Sequence, residues 1–113
     1  MWIDICSSEE IRKKKKVVTK HGDFNILVIF HNEQLFAFDN ECVHKKRELH
    51  TGMIFKEKYV CPGHQWAFDL STGWESVKEQ GQPVYACREK DGIIQLDLSS
   101  ARVATSASAA AQW

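Results

Sequence analysis

The sequence has no surplus of charge of either sign. Fifteen Lys and Arg balance fifteen Asp and Glu over 113 residues, which leaves no bulk field for gripping nucleic acid or an anionic membrane. It has no apolar run long enough to span a bilayer. Its start, Met-Trp-Ile-Asp-Ile-Cys-Ser-Ser-Glu-Glu, shows neither the basic nor the apolar stretch of an export signal. No repeat period is visible, and the length has no room for a large catalytic domain beside a second module. A hydrophobic content of 43% suffices for one ordinary core. The expectation is a cytoplasmic, single-domain protein without nucleic-acid or membrane partners. What it does have is four cysteines, and in a reducing compartment thiols serve metals or chemistry more often than disulfides.

From Trp2 to Leu98, short apolar or alternating runs are broken by turn residues about every 8 to 12 positions, the pattern of an all-β sandwich or barrel. Residues 24–30 are β-branched and aromatic, and 34–38 follow after His31-Asn32-Glu33, which predicts an antiparallel hairpin leading into Cys42. Residues 53–55 and 59–60 flank a charged turn, 66–69 run into Ser71-Thr72-Gly73, and 84–87 pair with 93–98 across Asp91-Gly92. The basic run from Arg12 to Lys16 reads as a solvated turn or edge strand, where lysine discourages unwanted pairing. Residues 99–113 are Ala/Ser-rich, almost uncharged and poor in large apolar groups, and are expected to form a disordered tail outside the 1–98 domain.

Two short motifs carry the chemistry. Cys42-Val43-His44 and Cys61-Pro62-Gly63-His64 each join a thiol to an imidazole, and sixteen residues, enough for a hairpin, separate them. Free cysteine is often merely a small buried hydrophobe, but the repetition of the pair where strand patterns stop argues against that reading. Pro62 stiffens and Gly63 frees the second loop, which suits backbone wrapped around a cofactor. One Zn²⁺ accepts two cysteines and two histidines, yet structural zinc sites usually offer Cys-x₂₋₄-Cys and His-x₃₋₅-His. Mixed pairs on two loops suit a binuclear site, with the thiolates on one iron and the imidazoles on the other.

This spacing, with Trp66-Ala67-Phe68-Asp69-Leu70-Ser71-Thr72-Gly73 after it, resembles the Rieske family, and within it the ferredoxins of bacterial aromatic-ring-hydroxylating dioxygenase systems. The resemblance implies a β-sandwich with a small cluster-binding subdomain of two loops, here about 41–50 and 60–69. It implies a [2Fe–2S] cluster with Cys42 and Cys61 on the inner iron and His44 and His64 on the outer one. Lys46 and Gln65 stand where the family usually carries glycine, so an altered loop shape is expected with the cluster retained. Implied too is a one-electron carrier, not itself an enzyme. It would pass electrons from a flavin or NAD(P)H-linked reductase to a terminal oxygenase, as a monomer in transient contact with each, with Lys45, Lys46 and Arg47 on the docking rim.

Ligation by two histidines also sets the redox expectation. Two ferric ions, two sulfides and two thiolates carry no net charge when oxidised and a single negative charge when reduced, which places such clusters at about −150 to +300 mV. Respiratory Rieske proteins, which the motif also resembles, add a disulfide between the loops and hydroxyl donors behind the second histidine. This chain has Arg47 and Gly63 at the cysteine positions and Trp66 and Phe68 at the hydroxyl positions, so the low end of the range is expected. Cys6 and Cys87 read as core residues, and His21, His31 and His50 as turn or surface residues. Three other readings use the same residues: a small subunit of another redox enzyme such as nitrite reductase, a Cys₂His₂ zinc-binding interaction module, and a structural β-domain.

Overall fold

A computed structural model describes residues 2–42, 48–61, 66–77 and 79–104. The chain opens with strand β1 (Trp2–Ser7), helix α1 (Ser8–Lys14), β2 (Lys16–His21), β3 (Phe24–His31) and β4 (Gln34–Asp39). A single 3₁₀ turn (Leu49–Thr51) precedes β5 (Met53–Phe55), β6 (Lys58–Val60) and β7 (Ala67–Asp69). The rest is β8 (Trp74–Glu75), β9 (Gln80–Gly81), β10 (Val84–Lys90) and β11 (Ile93–Arg102). The expected hairpins are present. β3 and β4 turn through Asn32 and Glu33, β5 and β6 through Lys56 and Glu57, and β10 and β11 through Asp91 and Gly92, every one of these residues at positive φ. Such turns match the right-handed twist of the strands they join.

The strands form a six-stranded sheet in the order β1-β11-β10-β4-β3-β2, a three-stranded sheet β5-β6-β7 and a two-stranded ribbon β8-β9. In the large sheet β10 and β4 are joined by only two residue pairs, Val84 with Phe38 and Tyr85 with Ala37. Ile26 and Val28 on β3 nevertheless share one core with Ile94 and Leu96 on β11, although β4 and β10 lie between them. The seven-residue α1 directly links β1 and β2, the two edge strands, so the sheet curls to bring its edges together around this first core, with Ile11 of α1 packed into it. Alternation along β3 sends Leu27 and Ile29 to the opposite face. There they build a second core with Tyr59 and Phe68, inner-face residues of the three-stranded sheet. Burial on both faces explains why β3 reads as a continuous apolar run rather than an alternating one.

Two expectations change. The basic run is not a turn: Arg12, Lys13 and Lys14 form the last turn of α1, Lys15 caps it in the left-handed region (φ 72°), and Lys16 begins β2, which is an edge strand. Glu9 and Glu10 in the first turn and the cations in the last complement the helix dipole. The second change is at the C-terminus. β11 continues past Leu98 to Arg102, which pairs with Val84 across a bulge. Ser100 accepts from the amide of Ala86 at 2.8 Å and donates to the Asp97 carbonyl at 2.6 Å, so its hydroxyl replaces the ladder bonds the bulge removes. The first residues of the expected tail thus belong to the sheet, and residues 105–113 lie outside the described residues.

Candidate metal centre

Cys42 follows β4 by three positions and Cys61 follows β6 directly. Both are free thiols, both are fully buried, and both belong to the core between the large and the three-stranded sheets. Each opens a short loop, and each loop is closed at its root by backbone pairing. Glu41 bridges Glu48 across the first, and the amide of Cys61 donates to the Trp66 carbonyl at 2.7 Å across the second.

Buried polar side chains brace these roots. Asn40, fully buried, accepts from the His50 amide through Oδ1 at 2.9 Å, and its carbonyl accepts from the Leu49 amide at 2.6 Å. Its Nδ2 reaches Asn25 Oδ1 at 3.2 Å and Glu48 Oε2 at 3.3 Å. Gln82, also fully buried, donates from Nε2 to the carbonyls of Asp39 at 2.7 Å and Glu41 at 2.8 Å. Behind the second loop the buried Glu75 carboxylate accepts from the amides of Ala67 and Val77, each at 2.6 Å. Amide hydrogen bonds to a carboxylate are charge-assisted and stronger than neutral ones. The turn after β7 is set by Asp69 Oδ1, which accepts from the Ser71 amide and hydroxyl and from the Thr72 amide. Burial opposes ionisation of Asp69, but these bonds and nearby Lys58 hold its carboxyl below the usual range.

One charged side chain crosses between the sheets. Lys16 Nζ donates to the Gly52 carbonyl at 3.0 Å and to Tyr59 Oη at 3.3 Å, and lies 5.7 Å from the Tyr59 ring centroid. Gly52 ends the 3₁₀ turn and lies so close to β6 that an added Cβ would run into the Val60 carbonyl oxygen. Tyr59 is buried on the inner face, and burial followed by the charge of Cys61 pushes its phenol above the ordinary range.

Of the four residues named from sequence, the structure brings Cys42 and Cys61 into one core. His44 and His64 lie outside the described residues, as do Lys45, Lys46, Arg47 and Gln65. Cys6 and Cys87 pack against the other core, as expected of core thiols. Trp66 and Phe68 are both buried beside the candidate ligands, their ring centroids 6.3 Å apart. His31 pairs with Glu57 at 3.1 Å, His21 meets Thr19 at 2.9 Å, and His50 braces the first loop. Sequence reasoning missed Asn40, Gln82, Glu75 and Lys16. The partners of Gln82 lie 41 and 43 residues away, so no local pattern announces it.

The thiols fit a [2Fe–2S] group held by two cysteines. Neither is in a disulfide, both face one dry core, and both stand at the roots of tethered loops whose next residues include a histidine. Comparison with known proteins points the same way. Residues 1–94 match the Rieske [2Fe–2S] domain family. The ferredoxin component of the alkene monooxygenase system of Xanthobacter autotrophicus is 23% identical over 73 residues, 64% of this chain and 60% of that one. The ferredoxin component of the 2,4-dinitrotoluene dioxygenase system of a Burkholderia species is 29% identical over 75 residues, 64% of this chain and 69% of that one. The chain therefore spans less than two thirds of the first relative and slightly more than two thirds of the second. In a solved complex of reduced oxygenase and oxidised ferredoxin of carbazole 1,9a-dioxygenase, one chain superposes with a TM-score of 0.75 at 20% identity, covering 84% of this chain and 91% of its own length.

Proposed function

The chain belongs to the Rieske [2Fe–2S] domain family, whose cofactor is a Rieske-type cluster, and from that membership we propose that it is a one-electron carrier ferredoxin. It would take electrons from a flavin or NAD(P)H-linked reductase and deliver them to a terminal oxygenase without catalysing the oxygenation itself. The observation that carries this reading is the burial of two free thiols, Cys42 and Cys61, in a single core at the roots of two braced loops. Cys42 and Cys61 would hold one iron, and His44 and His64 the other. Once bound, such a cluster accepts and releases one electron. The chain's own contribution is to keep the thiolates dry and the loop roots fixed, so that little rearrangement accompanies the charge change.

The relatives' names support the carrier role, since those described above are ferredoxin components of oxygenase systems. No helix among the described residues is long and apolar enough to cross a membrane, and the carrier is taken to be a cytoplasmic monomer. Its docking face would centre on the two loops, with Lys45, Lys46 and Arg47 on the rim. Reversing those charges should slow association with either partner, more at low salt than at high.

Anaerobic purification with iron and labile-sulfide analysis, and an EPR spectrum of the reduced protein, tests the reading. Two irons per chain with a histidine-ligated spectrum is the expected result; a colourless protein holding one zinc overturns it. A second reading, a small subunit held permanently by a larger redox enzyme, draws on one observation. Met53 and Phe55, 66% and 61% exposed, point outward from the edge strand β5. Gel filtration of the natural complex separates the two, because a carrier elutes alone and a subunit does not.

A further inference from the structure

We propose that Lys16 is a positioned positive charge behind the thiolate side of the cluster, where it raises the reduction potential. The inference rests on the cluster reading above. Lys16 belongs to β2, in the large sheet, yet its ammonium reaches across to residues beside the three-stranded sheet. One hydrogen bond goes to Gly52, which closes the segment after the first loop, and the other to Tyr59, two residues before Cys61. Tyr59 shares its core with Cys42 and Cys61.

No acidic side chain among the described residues cancels the charge at this position. Among the described residues the ammonium's hydrogen-bond partners are a carbonyl and a phenol, and no carboxylate pairs with it. It is also partly withdrawn from water, where a charge is screened less than at the surface. Lys13, Lys14 and Lys15 of the same basic run lack this placement: Lys14 pairs with Glu10 on the helix surface, and Lys15 lies over the Phe30 ring. Reduction adds one electron, and hence one negative charge, to the cluster. A fixed cation on the thiolate side stabilises the reduced state more than the oxidised one; a unit charge about 12 Å away at an effective dielectric of about 20 shifts such an equilibrium about tenfold.

The test compares the wild type with Lys16→Gln, which keeps a hydrogen-bond donor without the charge, and with Lys16→Arg, which keeps the charge. Iron, labile sulfide and the EPR spectrum are measured first, then the midpoint potential by protein-film voltammetry. The expected result is two irons in all three proteins, a more negative midpoint in Lys16→Gln by about the equivalent of tenfold, 59 mV for one electron, and a near wild-type midpoint in Lys16→Arg. A loaded Lys16→Gln protein with the wild-type midpoint overturns the proposal. So does a Lys16→Gln protein that cannot hold two irons while Lys16→Arg can, because Lys16 would then be a strut. A wild type without a cluster defeats the cluster reading itself, a result distinguishable from both.

Discussion

The four cysteines form two pairs on opposite faces of the sheet that contains β3. Cys42 and Cys61 lie under the three-stranded sheet, and Cys6 and Cys87 pack on the core that the curled sheet encloses. All four are free. The pairs differ in burial, complete for Cys42 and Cys61 and only partial for Cys6 and Cys87, and in their backbone setting. Cys6 and Cys87 sit within strands, paired with Ile94 and Leu96 on β11, which runs between them. Two inter-strand spacings of about 4.8 Å, with a two-residue offset along β11, put their Cα atoms roughly 11–12 Å apart, beyond the 7 Å or so that a disulfide spans. Cys42 and Cys61 instead stand where strands end, at loop roots braced by Asn40, Gln82 and Glu75. Full burial beside a tethered loop is what sets the candidate ligands apart from the strand thiols.

The sharpest way to break this contrast is to remove one thiol from each pair. Cys61→Ser or Cys42→Ser should abolish iron and labile sulfide, whereas Cys87→Ala and Cys6→Ala should keep both at wild-type levels. Loss of iron in Cys87→Ala would erase the distinction. The next largest effect concerns the bracing. Glu75→Ala leaves the amides of Ala67 and Val77 without their carboxylate and should cost about 2–4 kcal/mol in denaturant unfolding.

Titration sharpens the same comparison from the strand side. Burial first, and then neighbouring Cys6, pushes the Cys87 thiol up to about 12. In the unfolded chain it ionises near 8.5. Its contribution is therefore fully present below about 8.5 and is lost as pH rises toward 12. Unfolding at pH 8, 9 and 10 should show stability falling more steeply in the wild type than in Cys87→Ala, and folded Cys87 should resist alkylation at pH 8. The smallest effect belongs to Asp69, partly buried at the turn after β7. Its lowered carboxyl contributes above the ordinary carboxylate range and loses that contribution as pH falls through it. Asp69→Asn should flatten the acid limb of the stability profile without changing iron content.

How far these features were legible depended on the range over which each is determined. The β3–β4 and β10–β11 hairpins were readable because β-branched runs and turn residues act over a few positions. α1 was missed because seven residues are too few to show a period, although Ser7 followed three positions later by Glu10 was its signal. Ser7 Oγ accepts from the Glu10 amide at 3.0 Å. The ribbon β8–β9, two residues per strand, is likewise too short for periodicity. The thiols of the candidate site were visible from spacing. Their bracing was not, since Asn40, Gln82, Glu75 and Lys16 matter through partners that only the folded chain brings near. Lys16 read as one of five similar cations, and its neighbours in sequence give no hint that it alone turns inward.

The closed loop roots also govern what the protein does when it carries no metal. Bonds such as the one from the Cys61 amide to the Trp66 carbonyl and from the Leu49 amide to Asn40 involve no iron, so much of the loop-closure entropy is met by the polypeptide before loading. The apoprotein should then keep these two amides shielded from hydrogen exchange. Losing and regaining iron becomes a local event, and the scaffold that receives a fresh cluster is already the one that held the last.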